Sequence, residues 1–86
     1  MKLKDEFIAY VTKEQTLLVA AGNASFHGLV RGNETLGAIL ELLKEDRSEE
    51  ELVQEMRKKY EAPENVIEND VRKVIDTLRQ IGALDE

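Results

Sequence analysis

Apolar and polar positions change their period once along this chain, near Gly32. Before that point, Glu6–Thr12 and Gln15–Ala21 hold aromatic, β-branched and aliphatic residues in short runs. Lys13–Glu14 separates them, the length of a tight hairpin turn. Gly22–Asn23 is a second turn signal and leads into another run, Ser25–Arg31. Sequential strands with short turns predict an antiparallel meander of three strands over about residues 6–31, with the first and third as its edges.

After Gly32 the apolar residues recur at helical spacing over about residues 34–81. Asn33 is an N-cap for a helix that puts Leu36, Ile39, Leu40 and Leu43 on one face. Gly37 within it costs about 1 kcal/mol relative to alanine, which points to close packing against the sheet. Ser48–Glu51 reads as a capping box for a second helix with Leu52, Val53, Met56 and Tyr60 inward. Pro63 suits the first turn of a third helix, whose stripe is Ile67, Val71, Val74, Ile75 and Leu78 and which stops at Gly82. The fold class expected is therefore α+β, with Ile39, Leu40, Leu43, Leu52, Met56, Val71, Ile75 and Leu78 in one core.

Eighty-six residues make a single domain, 1–86, with one core. The chain has no cysteine, so packing alone must hold it, which suits the cytoplasm. Its charged start, Met1–Glu6, lacks the apolar region of a signal peptide, and the longest apolar run, Leu17–Ala21, is too short to span a bilayer. The net charge of −6 argues against nucleic acid and anionic membrane as partners.

Catalytic chemistry is sparse. The one histidine, His27, excludes an imidazole cluster, so no metal site is expected. Neither the glycines nor the serines stand in a phosphate-binding or nucleophile motif. Glu49–Glu51 and Arg57–Lys59 read as dipole-complementing charges at the two ends of a helix. No enzyme is expected and no cofactor. A DNA-reading third helix would carry Glu64, Glu68, Asp70 and Asp76 against Arg72, Lys73 and Arg79, a poor match to phosphate. What remains is the third strand: free of proline, charged only at Arg31, and placed at an edge where an extended peptide, or a second copy of the chain, could pair with it.

The run from Leu29 to Leu43 resembles the strand-to-helix junction of the pyrroloquinoline quinone synthesis protein D family: two apolar residues, a spacer, asparagine, Glu34–Thr35 and small residues before an apolar helix. Arg47–Ser48, Glu51–Val53 and Tyr60 resemble that family's second helix. Asp70–Val71, Ile75, Leu78 and Gly82–Leu84 resemble its closing pattern. The likeness runs from about residue 29 to 84. Two positions depart: Gly32 stands where the family usually has leucine, and Glu45–Asp46 replaces an Asp–Gly turn.

That resemblance implies a winged-helix-like recognition element for ribosomally made precursor peptides, which adds the leader to its sheet between the third strand and third helix. It further implies delivery to a modifying enzyme, often a radical S-adenosylmethionine enzyme, toward pyrroloquinoline quinone or another modified peptide. Carried onto this chain, peptide contacts are expected at Phe26, His27, Leu29, Val30 and Arg31 on the strand, and at Val71, Arg72, Val74, Ile75 and Leu78 on the helix. Core packing is the competing role for Val71, Ile75 and Leu78, while Arg72 and Lys73 would read leader carboxylates or simply solvate the helix. The competing function is a DNA-associated winged helix or a dimerisation module, that is, a homodimer.

Overall fold

The computed structural model describes residues 1–20, 29–63 and 65–86. Along the chain lie β1 (Lys2–Leu3), β2 (Phe7–Val11), β3 (Thr16–Ala20), β4 (Leu29–Gly32), α1 (Glu34–Leu42), α2 (Glu49–Lys59), α3 (Val66–Gln80) and β5 (Leu84–Asp85). β2, β3 and β4 form the expected three-stranded antiparallel meander in sequence order. The α+β class is as the period switch requires. The expected end of the second strand at Ala21, the turn at Gly22–Asn23 and the strand residues Ser25 to Gly28 lie outside the described residues.

Strand alternation sorts the sheet into two faces. Phe7 and Leu18 are buried in the core, and Ala9, Ala20 and Val30 pack against it. The opposite face presents Ile8 and Tyr10, both exposed, beside half-buried Leu17 and Val19. All eight residues expected in the core are buried. Leu36, Ile67, Ala83 and Leu84 join them.

Local chemistry sets the helix ends. Asn33 Oδ1 accepts the Leu36 amide at 3.2 Å and starts α1. Ser48 and Glu51 close the capping box of α2 through two bonds of 3.1 Å. α3 begins later than expected. Pro63 precedes the helix instead of sitting in its first turn: its carbonyl accepts the Val66 amide, and Asn65 takes a left-handed conformation without capping by its side chain.

The end of α3 shows what its closing pattern encodes. Gly82 has φ 72°, the Gly82 amide donates to Arg79 O, and the Ala83 amide donates to Leu78 O at 2.9 Å. This is a Schellman motif, in which a left-handed glycine satisfies the last carbonyls and brings the following residue onto the helix. Ala83 and Leu84 are thereby driven into the core, and β5 pairs antiparallel with β1. That second, two-stranded sheet was not expected from the sequence. Its strands have two residues each, too short for any periodicity to register.

Gly37 makes the contact on which α1 depends. A Cβ there would stand 2.6 Å from Thr16 Oγ1 and 3.1 Å from Val11 Cγ1, so the helix backbone lies directly on β2 and β3. Thr16 Oγ1 is buried and has no hydrogen-bond partner among the described residues. Gly37→Ala is expected to destabilise the protein by about 1–3 kcal/mol, because overpacking outweighs alanine's better helix propensity. Thr16→Ala removes the atom it strikes, so the double variant in urea denaturation should lose less than the sum of the two single losses. Strict additivity would show that the contact is not what excludes a side chain at 37.

Candidate functional site

In the order β2-β3-β4, the strands β2 and β4 are the edges, and a sheet edge carries backbone N–H and C=O groups without a ladder partner. β4 pairs with β3 in the register Thr16↔Gly32, Leu17↔Arg31, Leu18↔Val30 and Val19↔Leu29. Val30 and Gly32 therefore share the core-facing side with Leu18 and Thr16. Leu29 and Arg31 share the outer side, where Leu29 is 46% exposed.

Beyond the β4 edge runs a cleft of about 260 Å³, lined by Val30, Arg31, Gly32, Asn33, Leu36, Lys73, Val74 and Thr77. β4 supplies one wall, one flank of α3 the other, and Leu36 of α1 lines the space between. The arrangement follows from packing. α1 lies against the sheet and also against α3, so it spaces α3 from β4 and leaves a trough with an apolar lining.

Of the residues expected to contact peptide, Val30, Arg31 and Val74 are brought together here. Val71, Ile75 and Leu78 face the other way and are 0%, 1% and 0% exposed. They are core, because the most apolar stripe of an amphipathic helix is the one a small domain must bury. Arg72 is also turned from the cleft: its Nε lies 3.7 Å from Glu49 Oε1, at the start of α2. Four residues earlier, Glu68 faces the same helix, 2.7 Å from Arg57. That guanidinium's hydrogen bond holds the Glu68 carboxyl below the usual glutamate range. Phe26 and His27 lie outside the described residues.

Lys73, weighed with Arg72 as a reader of leader carboxylates, lines the cleft, and Thr77, Asn33 and Leu36 line it without having been singled out. The signal was available in part: with Val74 partly buried, helical spacing of three and four puts 73, 74 and 77 on one flank. Leu36 could not be read as lining, since its period assigns it to the core, where it is also buried.

Gly32 explains the position of Leu36. A Cβ at 32 would overlap Leu36 Cδ2 and stand 2.8 Å from its Cβ. Leu36 thus fills the volume that a side chain at 32 would need.

Other clefts differ in kind. One of about 470 Å³ opens at the α2–α3 turn between Arg57, Tyr60, Pro63 and Glu68. Another, of about 350 Å³, flanks β2 and is lined by Lys2, Lys4, Asp5, Ile8 and Lys44 among others. The first lies against no strand. The second lies beside an edge but is charged along its rim. Among the described residues there is no cluster of metal-ligating side chains and no helix long and apolar enough to cross a membrane.

The sequence pattern of "Coenzyme PQQ synthesis protein D (PqqD)" matches residues 18–84. No curated protein matches the chain. A solved structure described as TbiB1 in complex with the TbiA(β) leader peptide superposes with a TM-score of 0.77 at 20% identity, covering 99% of this chain and 95% of that one.

The Gly32–Leu36 fit gives a direct test. Gly32→Leu should cost about 1–3 kcal/mol by overpacking. Adding Leu36→Ala should recover part of that loss in a thermal or urea melt, because the new side chain takes the vacated space. A double variant no more stable than Gly32→Leu would show that the two positions do not share one volume.

Proposed function

The chain belongs to the coenzyme PQQ synthesis protein D (PqqD) family, and we propose that it is a binding adaptor, not a catalyst, that captures the leader of a ribosomally made precursor peptide. The observation that carries this reading is the β4 edge facing α3 across an apolar cleft. An extended segment fits there as a further strand, its backbone bonded to β4 and alternate side chains directed into the cleft. The likeness in fold to TbiB1, solved with a leader peptide, supports the same reading.

Binding of this kind is mass action. A flexible leader loses about 2–5 kcal/mol of its gross contact energy to ordering on docking. Ladder bonds supply affinity of any sequence, and the side-chain contacts at Val30, Leu36 and Val74 supply selectivity. Contact between the same domain and a peptide-modifying enzyme, a radical S-adenosylmethionine enzyme in the reading proposed, would raise the core peptide's effective concentration at that active site.

Self-association is the second reading. Ile8, Tyr10 and Leu29 are exposed on the outer sheet face, an apolar surface suited to protein contact. Sedimentation at rising concentration separates the cases: a dimer lost on Tyr10→Lys favours self-association, and a monomer throughout removes it.

The adaptor reading is tested by titrating the protein with the leader encoded beside it and following amide shifts by NMR. They should cluster on residues 29 to 33 and on 73, 74 and 77. Val74→Asp should weaken binding about tenfold or more by placing a charge in the apolar lining. Leu29→Pro and Val30→Pro should behave differently, since neighbouring amides point to opposite sides of a strand: one breaks the β3–β4 ladder and the fold, the other keeps the fold and loses the peptide. Shifts confined to β2 or α2 would reject this site.

A further inference from the structure

The chain carries 18 acidic residues against 12 basic ones, yet among the described residues no carboxylate lines the cleft between β4 and α3. Four other clefts each include at least one: Glu61 and Glu68 at the α2–α3 turn, Asp5 beside β2, Asp85 by the terminal strands, Asp70 near the start of α3. The β4–α3 cleft instead has Arg31 on one wall and Lys73 on the other. On α2 and α3, Arg57, Lys58, Arg72 and Arg79 are already engaged, at Glu68, Glu55, Glu49 and Glu86 respectively. Neither Arg31 nor Lys73 has an ion-pair partner among the described residues.

Two free cations beside an apolar surface, on an acidic protein, are complementary to an acidic and apolar ligand. Resting on the reading that an extended peptide joins β4, we propose that this cleft selects a segment in which carboxylates flank a branched apolar residue. The apolar side chain points inward onto Val30, Leu36 and Val74. Lys73, on the helical wall, meets a carboxylate at the inward rim. Arg31 belongs by register to the outer side, so it pairs across the strands with a carboxylate on an outward position of the peptide.

The physics favours Lys73 as the main determinant. No resident acid must be displaced before it binds, and the apolar lining beside it strengthens a charge-assisted bond relative to open water. Both side chains are exposed, but Arg31 lies by register on the outer side of the strand, away from the apolar lining, and contributes less. At longer range the net charge of −6 repels acidic peptides, so discrimination arises from these two local cations and not from steering by the whole protein.

The test uses the full chain and a phage-displayed library of random peptides of about a dozen residues, with enriched peptides located by NMR amide shifts. Peptides that map to β4 and α3 should carry Asp or Glu within two positions of Val, Ile or Leu. Replacing that acid by its amide, or Lys73→Glu in the protein, should weaken binding about tenfold. Arg31→Glu should have a smaller effect, and Lys59→Glu, the same charge change on α2, should have none. Selection on the Lys73→Glu variant should exchange acidic for basic residues in the consensus. Peptides that bind the cleft with a neutral consensus, indifferent to Lys73→Glu, would overturn this inference and leave the adaptor reading intact. Peptides that map elsewhere, or no enrichment at all, would overturn both.

Discussion

Everything in this fold is arranged around the seating of α1 on the sheet. The helix has nine residues, too few to be stable alone, and it is held because it is packed on several sides. Gly37 lets its backbone lie against Thr16 and Val11. Leu36, Ile39, Leu40 and, just past its end, Leu43 are buried. The Leu43 carbonyl accepts the Leu3 amide, and Arg47 Nε donates to Leu42 O, so even its last turn is tied to other parts of the chain.

The cleft is a consequence of that seating. With α1 between the sheet and α3, the third helix buries Val71, Ile75 and Leu78 and leaves its Lys73–Val74–Thr77 flank beside β4 at a distance. The Schellman motif at Gly82 fixes the other end of α3 by turning Ala83 and Leu84 inward and pairing β5 with β1. α3 is thus anchored along its core stripe and at its C-terminus. A peptide docking there, as proposed, would meet walls whose positions are set by the core, which lowers the cost of organising such a site on binding.

Charge follows the same division. Salt bridges join α2 to α3 through Arg57–Glu68 and Arg72–Glu49, on the side of α3 away from β4. They are exposed and contribute little to stability. Their consequence for recognition is larger: with Arg72 and Arg79 engaged by acids, α3 offers a phosphate backbone few free cations, which weighs against the DNA-reading alternative.

The sequence by itself determined the elements whose physics is local. The strand-to-helix switch at Gly32, the caps at Asn33 and Ser48, the stop at Gly82 and the apolar stripe of each helix follow from backbone chemistry and period, which neighbouring residues dictate. Close packing at Gly37 was legible too, since a glycine inside a helix is costly without a steric reason. Tertiary structure alone decided which polar flank of α3 faces β4, because periodicity identifies the buried stripe and says nothing about what lies on either side of it. That is why Arg72 was expected at the cleft and lies against α2, while Lys73, one residue on and about 100° around the helix, lines it. The pairing of β1 with β5 was likewise decided by the fold, since strands of two residues have no pattern of their own and form because the core brings their backbones together.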